Sequence, residues 1–187
     1  MRLRRRHAAT LAALCLGSAL ALAAEPPPGD PTVVETLSGI DYVPTKSSLD
    51  DVFDGAAAAD LITIASDDSD PGVRLRAYRA LALYPGAETA AALRDALDTY
   101  AADESGIGTM LTRAAALSLA RVDGEAAVPD LDDLLQHPSR DVRATIAQAL
   151  ALTGSPDAVS TLRDRLPVEP VEQVRLAIAE ALRELAP

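Results

Sequence analysis

Val142-Arg143-Ala144-Thr145-Ile146-Ala147-Gln148-Ala149-Leu150, closed by Gly154-Ser155-Pro156 and followed by a second run from Ala158, is the stretch that decides the fold. Val142, Ile146, Ala149, Leu150 and Thr153 recur at spacings that place them on one side of a helix. Val128, Leu131, Leu134 and Leu135 do the same in the run before it. At Val174-Arg175 the pattern starts again, and working backwards it aligns with Leu111-Thr112 and Val73-Arg74, at intervals of 38, 31 and 32 residues. The long first interval has a local cause, because Asp98 to Gly108 extends the turn inside the second repeat. Insertions of that kind sit on loops at one edge of a stack.

Breaks at Asp70-Pro71-Gly72, Pro85-Gly86, Gly106 to Gly108, Asp123-Gly124, Pro138, Gly154 to Pro156 and Pro167 to Pro170 divide residues 48 to 187 into about eight helices, or about four hairpins. Each hairpin is apolar on both helices, and one hairpin cannot bury that surface alone. Neighbours must therefore stack, and Ala77, Ala80, Ala115, Ala116, Ala147, Ala149, Ala179 and Ala181 let the second helices approach closely. The expected class is all-α. Arrays of this kind offer surfaces rather than clefts.

The run from Val142 to Leu150, then Gly154-Ser155-Pro156-Asp157-Ala158-Val159 and Leu162, resembles the HEAT-like repeat named after phycobilisome lyases. The resemblance covers roughly residues 48 to 187 and implies a right-handed α–α superhelix that binds proteins. Thr112 stands where the pattern has Arg, and Tyr78 where it has a small residue. The Trp-Leu-Gly-Tyr and Thr-Pro-Leu-His patterns of tetratricopeptide and ankyrin arrays are missing. Relatives implied by the resemblance include a bilin lyase and a di-iron hydroxylase. The second needs paired His-Glu motifs, whereas only His137 lies beyond the leader. No cofactor or metal is expected.

Residues 1–24 carry Arg2, Arg4, Arg5 and Arg6, then an apolar stretch from Ala8 to Leu22 and small residues, the pattern of a secretory signal peptide. Cys15, the sole cysteine, follows Leu14 rather than the small residue a lipid-anchor signal needs. The expected location is periplasmic or extracellular, as for an exported bacterial protein, with no transmembrane segment. Residues 25–46 hold Pro26, Pro27, Pro28, Pro31 and Pro44 and read as a largely disordered linker, with Ile40 to Val43 laid against the first helix. Residues 47–187 read as the repeat domain. The formal charge is −11, and becomes −15 once the four leader arginines are removed. That field repels polyphosphate, so nucleic acid is not an expected partner and a cationic protein or peptide is.

Searches for catalytic chemistry end in structural readings. His137, Ser139 and Asp141 lie within five residues at a helix start, too close together to align a nucleophile, base and acid. Asp67-Asp68-Ser69-Asp70 invites calcium, but Pro71 stands where the sharp turn needs glycine, and Asp70 before Pro71 fits a helix cap. Arg74, Arg143 and Arg175 share one repeat position and read as structural, bridging to Asp68, Asp70 and Asp141. No enzyme activity is expected.

The resemblance places the outward positions of the second helices on the concave side. These are Arg79, Leu117, Gln148 and Glu180 in one row, and Leu83, Arg121, Leu152 and Glu184 in another, with Arg76 adding to the basic end. Such a face, basic at the first repeat and acidic at the last, would orient an extended peptide. The reading is a non-catalytic binding or scaffolding module of the bacterial envelope. The alternative is a spacer that self-associates through its end repeats.

Overall fold

The computed structural model describes residues 36–37, 44–66 and 70–186. The leader with Cys15, the Ile40–Val43 segment and the cluster Asp67-Asp68-Ser69 lie outside the described residues. In chain order the α-helices are α1 (Lys46–Val52), α2 (Ala57–Ser66), α3 (Pro71–Leu81), α4 (Ala87–Tyr100), α5 (Gly106–Asp123), α6 (Val128–Leu134), α7 (Arg140–Thr153), α8 (Pro156–Arg165) and α9 (Glu172–Glu184). Short 3-10 turns at Gly124–Ala127 and Leu166–Val168 link some of them, and the described residues contain no strand.

The pairs α2/α3, α4/α5, α6/α7 and α8/α9 are the four hairpins read from the sequence. Helix starts follow local chemistry. The Asp70 carboxylate accepts the Gly72 and Val73 amides at 2.7 and 3.2 Å, with Pro71 in the first position, where no donor is required. Ser105, Ser139 and Ser155 cap α5, α7 and α8 in the same way. Gly154, at φ 65°, ends α7 in a left-handed conformation that a side chain would strain.

The repeat register is visible in burial. Val73, Leu111, Val142 and Val174 are buried, as are Ala77, Ala115, Ile146 and Ile178 in the next row. Ala80, Ser118, Ala149 and Ala181 form a third row, and these small side chains let α3, α5, α7 and α9 stack directly on one another. The first helices of the hairpins touch one another much less. Helices α3, α5, α7 and α9 make up one continuous layer of the stack, the inner layer, and the first helices of the hairpins make up the outer one.

The insertion in the second repeat is more helical than the sequence suggested. Part of Asp98 to Gly108 continues α4 to Tyr100, and part opens α5 at Gly106, leaving a tight turn between them. Gly108 makes that turn possible, because a Cβ there would collide with the Asp103 backbone and side chain.

At the other end, α1 is held to the first hairpin by Tyr84, whose hydroxyl donates to Asp50 at 2.9 Å while Lys46 lies 4.8 Å from its ring centre. Burial, then the hydrogen bond with Asp50, raises the Tyr84 phenol above its ordinary range. Leu37, inside the segment read as linker, is fully buried and joins Leu49 and Phe53 in the core. No helix among the described residues is long and apolar enough to cross a membrane.

Candidate protein-binding face

Each inner helix carries an exposed stripe at helical spacing. On α3 and the turn that follows it the stripe holds Arg76, Arg79 and Leu83, and on α5 Met110, Arg113, Leu117 and Arg121. On α7 it holds Asp141, Ala144, Gln148 and Leu152, and on α9 Gln173, Leu176, Glu180 and Glu184. Among the described residues six large apolar side chains are left exposed, and four of them, Leu83, Met110, Leu152 and Leu176, fall on this surface. Scattered exposed leucines mean little, but a cluster on one face marks a contact surface.

Six of the nine residues expected on the concave side line one groove of about 540 Å³: Leu117, Arg121, Gln148, Leu152, Glu180 and Glu184. Leu176, Ala177 and Ala181 complete it. The sequence reading missed these three, although Leu176 precedes Glu180 by one helical turn and could have been found from that spacing. Arg76, Arg79 and Leu83 are not in the groove. Arg76 and Arg79 stand on α3, the helix that packs beside α5, and Leu83 stands in the turn after it. Arg79 and Leu83 are exposed, whereas Arg76 is half-buried and its Nε is buried without a partner. At the acidic end Glu180 accepts from Arg183 at 2.6 Å, which offsets part of its charge. Smaller hollows of 310 and 300 Å³ on the outer helices are lined by Asp132, Asp164 and Val168, and by Asp98, Asp130 and Asp133.

The inner arginines at the shared repeat position are structural; Arg143 and Arg175 find partners other than Asp70 and Asp141, and Asp68 lies outside the described residues. Arg143 reaches forward to the next repeat, where its Nε and Nη2 donate to the two carboxylate oxygens of Glu169 at 3.0 and 2.9 Å. Its Nη1 donates to the carbonyls of His137 and Pro138 at 2.8 and 3.0 Å. Arg175 repeats the second half of this arrangement on the carbonyls of Glu169 and Pro170. Arg74 donates to the Ala65 carbonyl and lies over the Tyr100 ring. The expected pairing of Arg143 with Asp141 is absent, because Asp141 is exposed and faces Arg140 at 3.7 Å.

Glu169 is buried, receives Arg165 as well, and accepts the Val171 amide at 3.0 Å. Burial alone would raise its pKa, but Arg143, Arg165 and the Val171 amide outweigh burial and hold the carboxyl at about 2. The group is a clamp between repeats, with no open side for a substrate.

That stack of similar hairpins, small-residue rows and inter-repeat arginines has a counterpart among known families. Residues 109–183 match the family model for HEAT repeats. The matched span runs from α5 to α9, and the helices α1 to α4 lie before it. No curated protein is significantly similar to the chain. HEAT repeats generally mediate protein–protein interaction or scaffolding, and the family is typically non-catalytic.

The histidine reading agrees with such a role. His137 Nδ1 accepts the Ser139 amide at 3.0 Å, so Nε2 carries the proton and donates to the Ala101 carbonyl at 2.8 Å. Both ring nitrogens are engaged with backbone, and neither meets a serine hydroxyl. The ring ties the third hairpin to the second. Among the described residues no group of histidine, cysteine and carboxylates is placed to hold a metal ion.

Proposed function

We propose that the protein is a scaffolding or adaptor module that binds a protein segment along the inner face of α3, α5, α7 and α9. The observation that carries this is the coincidence of the groove with the exposed leucines Leu152 and Leu176 on one face. The leader pattern in residues 1–24 supports an exported protein acting in the bacterial envelope. The excess of acidic residues favours a partner of positive net charge, whose basic groups face Glu180 and Glu184. A spacer that polymerises end to end has less support, since Leu37 and α1 add their own apolar residues to the core beside the first hairpin.

The test is a capture experiment with the immobilised full chain and extract of the native cell envelope. One retained protein, lost when Leu152→Glu and Leu176→Glu are introduced with helical circular dichroism unchanged, is the expected result. Retention that survives both substitutions removes the inner face from the account.

A further inference from the structure

Across the described residues Arg94, Arg140, Arg143, Arg165 and Arg183 each have a carboxylate within 4.0 Å, whereas Arg74, Arg163 and Arg175 have none and Arg74 and Arg175 donate to backbone carbonyls instead. Arg76, Arg79, Arg113 and Arg121, on the exposed stripes of the adjoining helices α3 and α5, are in no ion pair among the described residues. Acidic residues outnumber basic ones 28 to 17 in this chain, yet no acid among the described residues pairs with these four. Arg113 spends its Nε on the Thr145 hydroxyl, and Arg121 donates only weakly to the Leu117 carbonyl at 3.5 Å. Asp70, which caps α3, accepts the Gly72 and Val73 amides on its Oδ1.

Arg76 adds an independent sign. Its guanidinium lies close over Gly72, where an added Cβ would come within 3.4 Å of both Nη1 and Nη2, and its buried Nε meets no acceptor. A buried donor without an acceptor is uncommon in folded proteins and calls for an explanation, of which a ligand is one. Leucine and methionine side chains stand among the arginines: Leu75 is partly buried, Leu83 and Met110 are exposed. Guanidinium groups suit carboxylates because their paired donors match the two carboxylate oxygens. The interleaved apolar groups suit side chains rather than a phosphate backbone.

We infer that the α3–α5 half of the inner face is a receptor for an acidic, leucine-bearing segment of the partner protein. The inference rests on the inner face being the binding surface, and it assigns the partner a segment with charges of both signs, acidic over α3 and α5 and basic over Glu180 and Glu184. The net charge of −11 does not forbid this. At physiological ionic strength screening acts over about 8 Å, so the four nearby arginines outweigh distant acids.

The experiment titrates the full chain into a fluorescent peptide repeating Glu-Leu-Ser, with a Lys-Leu-Ser counterpart and a single-stranded DNA as competitors, and reads anisotropy. The acidic peptide should bind, weaken with added salt, and lose at least about ten-fold in affinity when Arg79→Glu and Arg121→Glu are combined. Asp164→Lys, on the outer helix α8, should not weaken it. Indifference to the arginine reversals, no binding of the acidic peptide, or tighter binding of the DNA would overturn the inference. Tighter binding of the lysine peptide, lost with Glu184→Lys, would also overturn it while keeping the inner face as the binding surface. Failure of the face itself would show separately, as native-partner capture unaffected by Leu152→Glu and Leu176→Glu.

Discussion

Replacing Glu169 by Gln keeps the shape of a side chain that is 2 % exposed and removes the charge that Arg143 and Arg165 both meet. The carboxyl is held at about 2 against an ordinary value of 4.5. Each unit of such a difference corresponds to roughly 1.4 kcal/mol, so at pH 7 the charged form contributes roughly 3 kcal/mol to folding. The same figure follows from a different direction, since leaving one member of a buried ion pair without its counter-charge costs about 3 to 5 kcal/mol. The folded-state pKa is depressed. The contribution is therefore fully present above the unfolded value of 4.5 and is lost as pH falls from there through about 2. Urea unfolding of wild type and Glu169→Gln across pH should show a stability difference of roughly 3 kcal/mol at pH 7 that shrinks to about half or less by pH 3. Other carboxylates titrate in the same window, and the difference between the two proteins cancels them. Because stability in a repeat stack is shared between neighbours, the loss should appear first as faster amide exchange in α8 and α9. A difference that stays constant between pH 7 and pH 3, or one below about 0.5 kcal/mol, would refute the clamp.

Gly108→Ala forces a Cβ against Asp103 in the tight turn before α5, and should lower stability by about 1 to 3 kcal/mol, read as a drop in thermal midpoint. His137→Ala removes the bonds to the Ala101 carbonyl and the Ser139 amide, and urea unfolding should register a loss of about 1 to 3 kcal/mol. Arg76→Met removes the unpartnered buried Nε and should leave the urea midpoint unchanged or higher, while weakening the acidic peptide in the anisotropy titration.

The periodic part of the fold was legible because it repeats. Val73, Leu111, Val142 and Val174 were aligned from spacing alone, and all four are buried at the same level of the stack. The cap at Asp70 followed from residue type and position. Two residues one turn apart on each of α5, α7 and α9 were enough to place six side chains in one groove. The clamp was not legible, because Arg143 was sought a partner within its own repeat and found one 26 residues on, in the loop of the next. Nothing in the local pattern distinguishes Glu169-Pro170 from an ordinary helix break. The turn at Asp98 to Gly108 was read as loop because of its two glycines, yet Gly106 and Gly108 both lie inside α5, where Gly108 serves close packing rather than flexibility. Leu37 was passed over among prolines, since a single leucine carries no period.

Methyl nuclear magnetic resonance of the full chain, titrated with the protein it captures, measures the proposed binding face directly. The account predicts perturbed methyl signals at Leu83, Met110, Leu117, Leu152 and Leu176, with Val159 and Val168 unchanged. Perturbation confined to Val159 and Val168, on the outer helix α8 and the turn after it, would contradict it.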